Sequence, residues 1–230
     1  GPAKSISSES NSTDTGPGNA FRGGHTSTMT VRIASFSDRR LAMDTNLIES
    51  MIDSLGSSLH DDSQLLELLA AVADRNGAES PPESLDRAAQ FVSAYIRQVP
   101  YMVKVARTAA RAVGLEKEMD CILDIVESYW KEGNDVIPDD MGVIGIMDDA
   151  YCSLSLLQSV SDNYRLLTGK YLFPDDLSLS NKAMRRIIGE PYASDLDRLV
   201  IGTMTEAGLI DAVKMLASEE KRLDFEHNST

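Results

Sequence analysis

Apolar residues recur at helical spacing along almost the whole chain after Met43. The first such stripe consists of Leu47, Ile48, Met51, Ile52 and Leu55. Residues three and four apart share one face of an α-helix, so this period predicts a series of amphipathic helices. No run of strict alternation is long enough to require a sheet, and aromatic residues make up only 6% of the chain. The sequence therefore predicts an all-α, multi-helix bundle.

One predicted helix, from about Ile146 to Thr168, is apolar around much of its circumference. One face carries Ala150, Leu154, Leu157 and Tyr164, and another carries Leu156, Val160 and Leu167. A helix that is apolar on most sides belongs in the interior of a protein. We therefore expect a buried central helix at about 146–168.

Residues that start and stop helices divide the chain further. Asp61, with Gln64 three residues later, has the pattern of a capping box. Ser80 stands before two prolines, and this arrangement predicts another helix start with Ser80 as the cap. Proline lacks the backbone N–H that continues a helix, so Pro100 predicts the end of one helix and the start of the next, which runs to about Val113.

Two more helical stretches are predicted in the last quarter of the chain. One runs from about Leu177 to Ile188, and the other from Ser194 to about Leu223 with a break at Gly208. Phe173-Pro174-Asp175-Asp176-Leu177 also repeats the pattern of the segment that begins at Ile137. We interpret the repeat as the same helix-start chemistry used twice, and not as a duplicated domain.

The two ends of the chain have a different composition from its body. Residues 1–42 form a low-complexity tail rich in Ser, Thr and Gly, and the opening Gly1-Pro2 has the form of an expression-tag remnant. Within this tail, Thr30–Arg40 is a short basic arm, read either as a frayed terminus or as a docking peptide. We predict one helical domain at 43–225 and a disordered C-terminus at 226–230.

Charge and cysteine content limit the classes of function. The net charge of −14 disfavours nucleic acid as a partner. Cys121 and Cys152 are too few for a disulfide framework and favour a reducing compartment, so the cytoplasm is predicted. The longest apolar run, Leu68 to Ala73, is far too short to span a bilayer. The three histidines, His25, His60 and His227, suggest no catalytic histidine.

The stretch 135–149 concentrates carboxylates between Pro138, Gly142 and Gly145. The candidate ligands are Asp135, Asp139, Asp148 and Asp149. One interpretation is structural: these carboxylates cap turns and favour the positive end of the next helix. The other is a site for Mg²⁺ or Ca²⁺, which prefer several carboxylate oxygens, extending to metal-assisted hydrolysis. The segment lacks the spacing of a calcium loop and has no nearby His or Lys as a general base, so no catalytic residue is predicted.

The same segment resembles the YkvA-type domain of a small helical bacterial family, whose signature is approximately Ser-Pro-x-Asp-Leu-Ile-Pro-Asp-Phe-Ile-Pro-x-x-Gly-x-x-Asp-Asp. The matching residues are Asp135, Ile137, Pro138, Asp139, Gly145, Asp148 and Asp149. The departures are Gly133, Asp140 and Gly142, which replace Pro, Phe and Pro. With its flanking helices the resemblance covers about 115–168. It implies a helical fold, and it implies an accessory module because such a domain also occurs attached to a RING-type ubiquitin ligase.

The chain is acidic overall, but it contains one stripe of basic residues. Lys104, Arg107 and Arg111 follow one another at helical spacing. They are either a solvated face that pairs with the chain's own carboxylates or a contact for an acidic partner. We predict a non-enzymatic interaction or regulatory module with a protein partner and no cofactor. The alternatives are a divalent-metal protein or metal-dependent enzyme, and a peripheral membrane adaptor that uses the Thr30–Arg40 arm.

Overall fold

Eight α-helices make up most of the described part of the chain. The computed structural model describes residues 45–56, 62–131, 137, 142–206 and 208–228. The helices are α1 (Thr45–Ser54), α2 (Ser63–Arg75), α3 (Pro82–Val113), α4 (Glu116–Lys131), α5 (Met147–Thr168), α6 (Ser178–Ile188), α7 (Tyr192–Glu206) and α8 (Leu209–Asn228). These residues include no strand. The predicted all-α bundle is therefore confirmed.

Several predictions fall on residues outside these ranges. The tail at 1–42, with its Thr30–Arg40 arm, lies outside the described residues, and so do His25 and His60. Among the helices that are described, none is long and apolar enough to cross a membrane.

The central helix of the bundle is α5, in the place predicted for about 146–168. It contacts α3, α4, α6, α7 and α8, and 13 of its 22 residues are buried. Contacts on every side explain why its sequence is apolar around most of the helix. The predicted second apolar face fails at Leu167, which is 42% exposed beside an exposed Leu166, because the last turn of α5 reaches the surface.

Pro100 does not break its helix, so the prediction of two helices here is wrong. The helix α3 is continuous for 32 residues with Pro100 inside it. A proline in a helix interior costs roughly 3 kcal/mol or more. Buried side chains on both sides of the proline offset this cost by packing into the bundle: Ile96, Val99, Met102 and Val103.

The capping residues of α2 and α3 differ from those predicted. The N-cap of α2 is Asp62, whose Oδ1 accepts hydrogen bonds from the N–H groups of Gln64 at 2.8 Å and Leu65 at 3.2 Å. Asp61 lies outside the described residues. The N-cap of α3 is Pro81, and no side chain caps this helix. The prediction that Ser80 is the cap is therefore wrong. Pro82 has no backbone N–H group, so the first turn of α3 has one N–H fewer that needs a capping acceptor.

Asp176 of the repeated Pro-Asp-Asp pattern bonds to the first residue of α6, although the N-cap of the helix is Leu177 and no side chain caps it. Asp176 accepts a hydrogen bond from the N–H of Ser178 at 2.9 Å, and α6 begins at Ser178, one residue after the predicted start. The preceding N–H, from Leu177, donates to Gln158 Oε1 of α5 at 2.8 Å. A side chain of the central helix thus fixes where α6 begins.

The last two helices are separated where the sequence predicts a break. Gly208 has a φ of +69°, a left-handed conformation that glycine adopts without strain, and it lies between α7 and α8. Two boundaries differ from the prediction. The helix α7 begins at Tyr192 and not at Ser194, and α8 continues to Asn228, past the helix end predicted at about Leu223.

Candidate functional site

The structure describes two of the four predicted metal ligands, Asp148 and Asp149. Both are buried in the first turn of α5. Asp148 Oδ2 accepts a hydrogen bond from the backbone N–H of Ile137 at 3.0 Å. Asp135 and Asp139 lie outside the described residues. Asp148 therefore attaches Ile137 to the positive end of α5, where the helix dipole favours its charge.

The metal interpretation of these carboxylates stays a prediction. Within the described ranges, no group of three or more His, Cys, Asp or Glu side chains is arranged to hold a metal ion. Mg²⁺ and Ca²⁺ both need several oxygen ligands, and one oxygen of Asp148 is already bonded to an amide. A site built from the four predicted ligands would therefore have to include Asp135 or Asp139.

The acidic segment also lies close to the start of α2. Gly142 has a φ of +62°, and a Cβ added to it would lie 3.0 Å from Asp62 Oδ2. The same carboxylate uses its other oxygen to cap α2. Glycine at this position therefore allows both the left-handed backbone and the close approach to the cap of α2.

Neither cysteine has the environment of a catalytic nucleophile. Burial raises the pKa of the Cys152 thiol well above its usual value, and the nearby Asp148 and Asp149 raise it further. The pKa of Cys121, on α4, is raised by partial burial and by Asp124. Because the thiolate is the reactive form, a raised pKa keeps both groups protonated and unreactive at neutral pH.

Two residues of the predicted basic stripe, Lys104 and Arg107, interact with carboxylates on two different helices. Lys104 forms an ion pair with Glu49 of α1. Arg107 is half-buried, and its charge acts to lower the pKa of Asp124 on α4. Arg111 is exposed in the last turn of α3, where a cation favours the negative end of the helix. Part of the stripe therefore interacts with the chain's own carboxylates, and its role in partner binding stays a prediction.

A largely apolar groove lies beside this stripe, between α3 and α6. Its volume is about 490 Å³, and it is lined by Phe91, Ala94, Tyr95, Arg97, Gln98, Tyr101 and Ser180. The rings of Phe91 and Tyr95 have centroids 6.1 Å apart, while Tyr101 is 52% exposed. The groove thus combines a floor of buried Tyr95 and partly buried Phe91 with an exposed aromatic side chain, a combination suited to holding an apolar group.

Arg97 contacts both the groove and α1. It lines the groove and also lies 4.0 Å from Asp53 of α1, with the two side chains 49% and 76% exposed. Neither Arg97 nor Tyr101 was among the site residues predicted from the sequence. The available signal was their spacing, because Arg97 lies seven residues and Tyr101 three residues before Lys104, on one helix face.

A polar network that was not predicted joins α5, α6 and α7. The hydroxyl of Tyr151 donates to Asp197 Oδ1 at 2.6 Å, and Arg185 Nε donates to Asp197 Oδ2 at 2.8 Å. Arg185 also forms an ion pair with Glu190 at 2.9 Å. Burial raises the pKa of Tyr151, and so does Asp197. Each of these groups is held by a neighbour, so the network fixes the three helices in place.

No protein-family model, curated protein or solved structure matches the chain. The YkvA-type resemblance of the segment Asp135–Asp149 stays a prediction.

Proposed function

We propose that the protein is a non-enzymatic interaction module that binds a partner protein in the groove between α3 and α6. The observation that carries this proposal is the groove itself, with an exposed Tyr101 and a half-exposed Arg97 beside an aromatic floor. Tyrosine and arginine are enriched among the residues that dominate binding energy at protein interfaces. An exposed tyrosine and arginine that share one shallow apolar groove therefore favour a protein partner.

The reactive groups of the described chain support the non-enzymatic part of the proposal. Both thiols have raised pKa values, and Asp148 accepts a backbone hydrogen bond. The Tyr151 hydroxyl and the Asp197 carboxylate bond to each other. A general acid, base or nucleophile must be in reach of a substrate, whereas these groups serve the fold.

The YkvA-type resemblance adds support of a different kind. A domain of that type occurs beside a ubiquitin ligase, in an accessory position, and this agrees with a module that recruits a partner. We propose the bacterial cytoplasm as its location, because the resemblance is to a bacterial family and two cysteines without a disulfide framework suit a reducing compartment.

Affinity capture from cell extract with three forms of the full chain tests the proposal. Tyr101→Ala removes the exposed ring of the groove. Tyr171→Ala is the control, because it removes a ring that is 62% exposed on another part of the surface. The Arg165 Cζ atom lies 4.4 Å from the centroid of that ring. We expect the same proteins to be retained by the wild-type chain and by Tyr171→Ala and to be lost from Tyr101→Ala. Equal retention by all three forms would overturn the groove as the binding site.

A further inference from the structure

The chain already binds one acidic amphipathic helix on α3, its own α1. Ile48 and Ile52 of α1 are buried in the core. The residues that follow them, Glu49 and Asp53, face Lys104 and Arg97 of α3 respectively. Two apolar residues four apart, each followed by a carboxylate, thus match an apolar surface bordered by two cations.

Arg97 lies between α1 and the groove and serves both. Its contact with Asp53 is 4.0 Å long, and both side chains are largely in water. Exposed ion pairs of this kind contribute little to stability. The guanidinium can therefore leave Asp53 for a carboxylate in the groove at little cost, whereas Lys104 is engaged closely by Glu49.

The net charge of the chain makes this local cation decisive. A body of −14 repels an acidic partner at long range. Within roughly 8–10 Å, beyond which salt screens exposed charges, the potential is set by the nearest groups. Among the residues that line the groove, the charged side chain is Arg97, and its positive charge is available to a partner's carboxylate when its exposed contact with Asp53 opens.

We infer that Arg97 determines the specificity of the groove, and that the partner is an acidic amphipathic helix that places apolar side chains on Phe91 and Tyr101 and a carboxylate on Arg97. This inference rests on the proposed function, because it names the partner of the same groove. The apolar and acidic residues of α1 therefore serve as a model for the binding face of the partner.

Labelled peptides with the sequence of residues 45–56 provide the probe, in a native form and in a form with Glu49→Lys and Asp53→Lys. Each is titrated against the full chain as wild type, Arg97→Gln, Arg97→Glu, Tyr101→Ala and Tyr171→Ala. We expect the native peptide to bind the wild type and Tyr171→Ala equally, with weaker binding at higher salt. Arg97→Glu should lose about tenfold in affinity for it and should bind the lysine peptide better than the wild type does.

The outcomes separate this inference from the proposed function. Loss of binding in Tyr101→Ala with unchanged binding in both Arg97 variants would leave the groove as the site and would overturn Arg97 as its determinant. Equal binding of the native peptide by wild type and Tyr101→Ala would place the peptide on another surface and overturn the inference. No binding of the native peptide to the wild type would also overturn it. Thermal unfolding of each variant shows that the fold is intact.

Discussion

The hydroxyl of Tyr95 on α3 donates a hydrogen bond to Asn181 Oδ1 on α6 at 2.8 Å, and both residues are buried. Asn181 Nδ2 in turn donates to the backbone carbonyl of Leu154 on α5 at 3.3 Å. Tyr95 also forms part of the groove floor. These two hydrogen bonds therefore fix the spacing of the two helices that form the groove and attach them to the central helix.

Tyr95→Phe should lower the free energy of unfolding by about 1–3 kcal/mol, the cost of leaving a buried polar group without its partner. The lost partner is the donor to Asn181 Oδ1. Urea or thermal unfolding measures the change. Tyr101→Phe is the matched control, because it removes a hydroxyl from an exposed ring and should alter stability by less than about 0.5 kcal/mol. Equal effects of the two variants would contradict the structural role of the buried bond.

Asp148→Ala should destabilise the protein by about 1–2 kcal/mol, because it removes the acceptor for the Ile137 N–H and a charge at the start of α5. Glu83→Ala, at an exposed first-turn carboxylate of α3, should cost less. Chemical unfolding of both variants at pH 7 measures the difference. A smaller loss in Asp148→Ala than in Glu83→Ala would rule out the capping role.

The metal alternative makes its own prediction for the same aspartates. If Asp135, Asp139, Asp148 and Asp149 form a site, millimolar Mg²⁺ or Ca²⁺ should raise the unfolding temperature in proportion to the logarithm of ion concentration, because the ion binds only the folded state. Asp148→Ala should remove this rise. An unfolding temperature that is independent of both ions would speak against the alternative.

Gly189→Ala and Gly202→Ala should change stability in opposite directions. Gly189 has φ +73° and ψ 172°, a region essentially limited to glycine, so alanine there should cost about 1–3 kcal/mol. A Cβ at Gly189 would also lie 2.7 Å from Arg75 Nη1. Gly202 lies inside α7 with open space around it, and alanine there should stabilise by about 0.5–1 kcal/mol. Thermal unfolding of the two variants compares them directly, and a shared sign would refute the argument.

Asp124→Asn should raise the unfolding temperature at pH 7. Partial burial raises the pKa of Asp124, Asp120 and Glu127 raise it further, and Lys131 and Arg107 act in the opposite direction. A raised folded-state pKa means that the stability from protonation is present at low pH and is lost as the pH rises through that pKa. The advantage of the variant should therefore shrink below about pH 4, where unperturbed aspartates protonate.

A variant that removes one exposed negative charge is the control for Asp124→Asn. Glu67→Gln removes an exposed carboxylate from α2 and should show a smaller effect at pH 7. Unfolding temperatures between pH 3 and pH 8 test both variants, and an advantage of Asp124→Asn that persists unchanged at low pH would disprove the electrostatic cause.

The sequence by itself determined the features that depend on neighbouring residues. Within the described residues, the helical period predicted the helical stretches apart from the division at Pro100, and the break at Gly208 followed from glycine's freedom to adopt a positive φ. The central position of α5 could also be predicted from the sequence, because a helix that is buried on all sides needs apolar residues on all sides. Local chemistry is enough for such predictions.

Tertiary structure decided everything that depends on residues far apart in the chain. Pro100 stays inside α3 because the core packs around it, and no local pattern contains that packing. The bond from Tyr95 to Asn181 spans 86 residues, and the groove needs α6 beside α3. A side chain's neighbours are set only when helices with matching apolar faces pack together, so the floor of the groove and the double role of Arg97 could be found only in the folded protein.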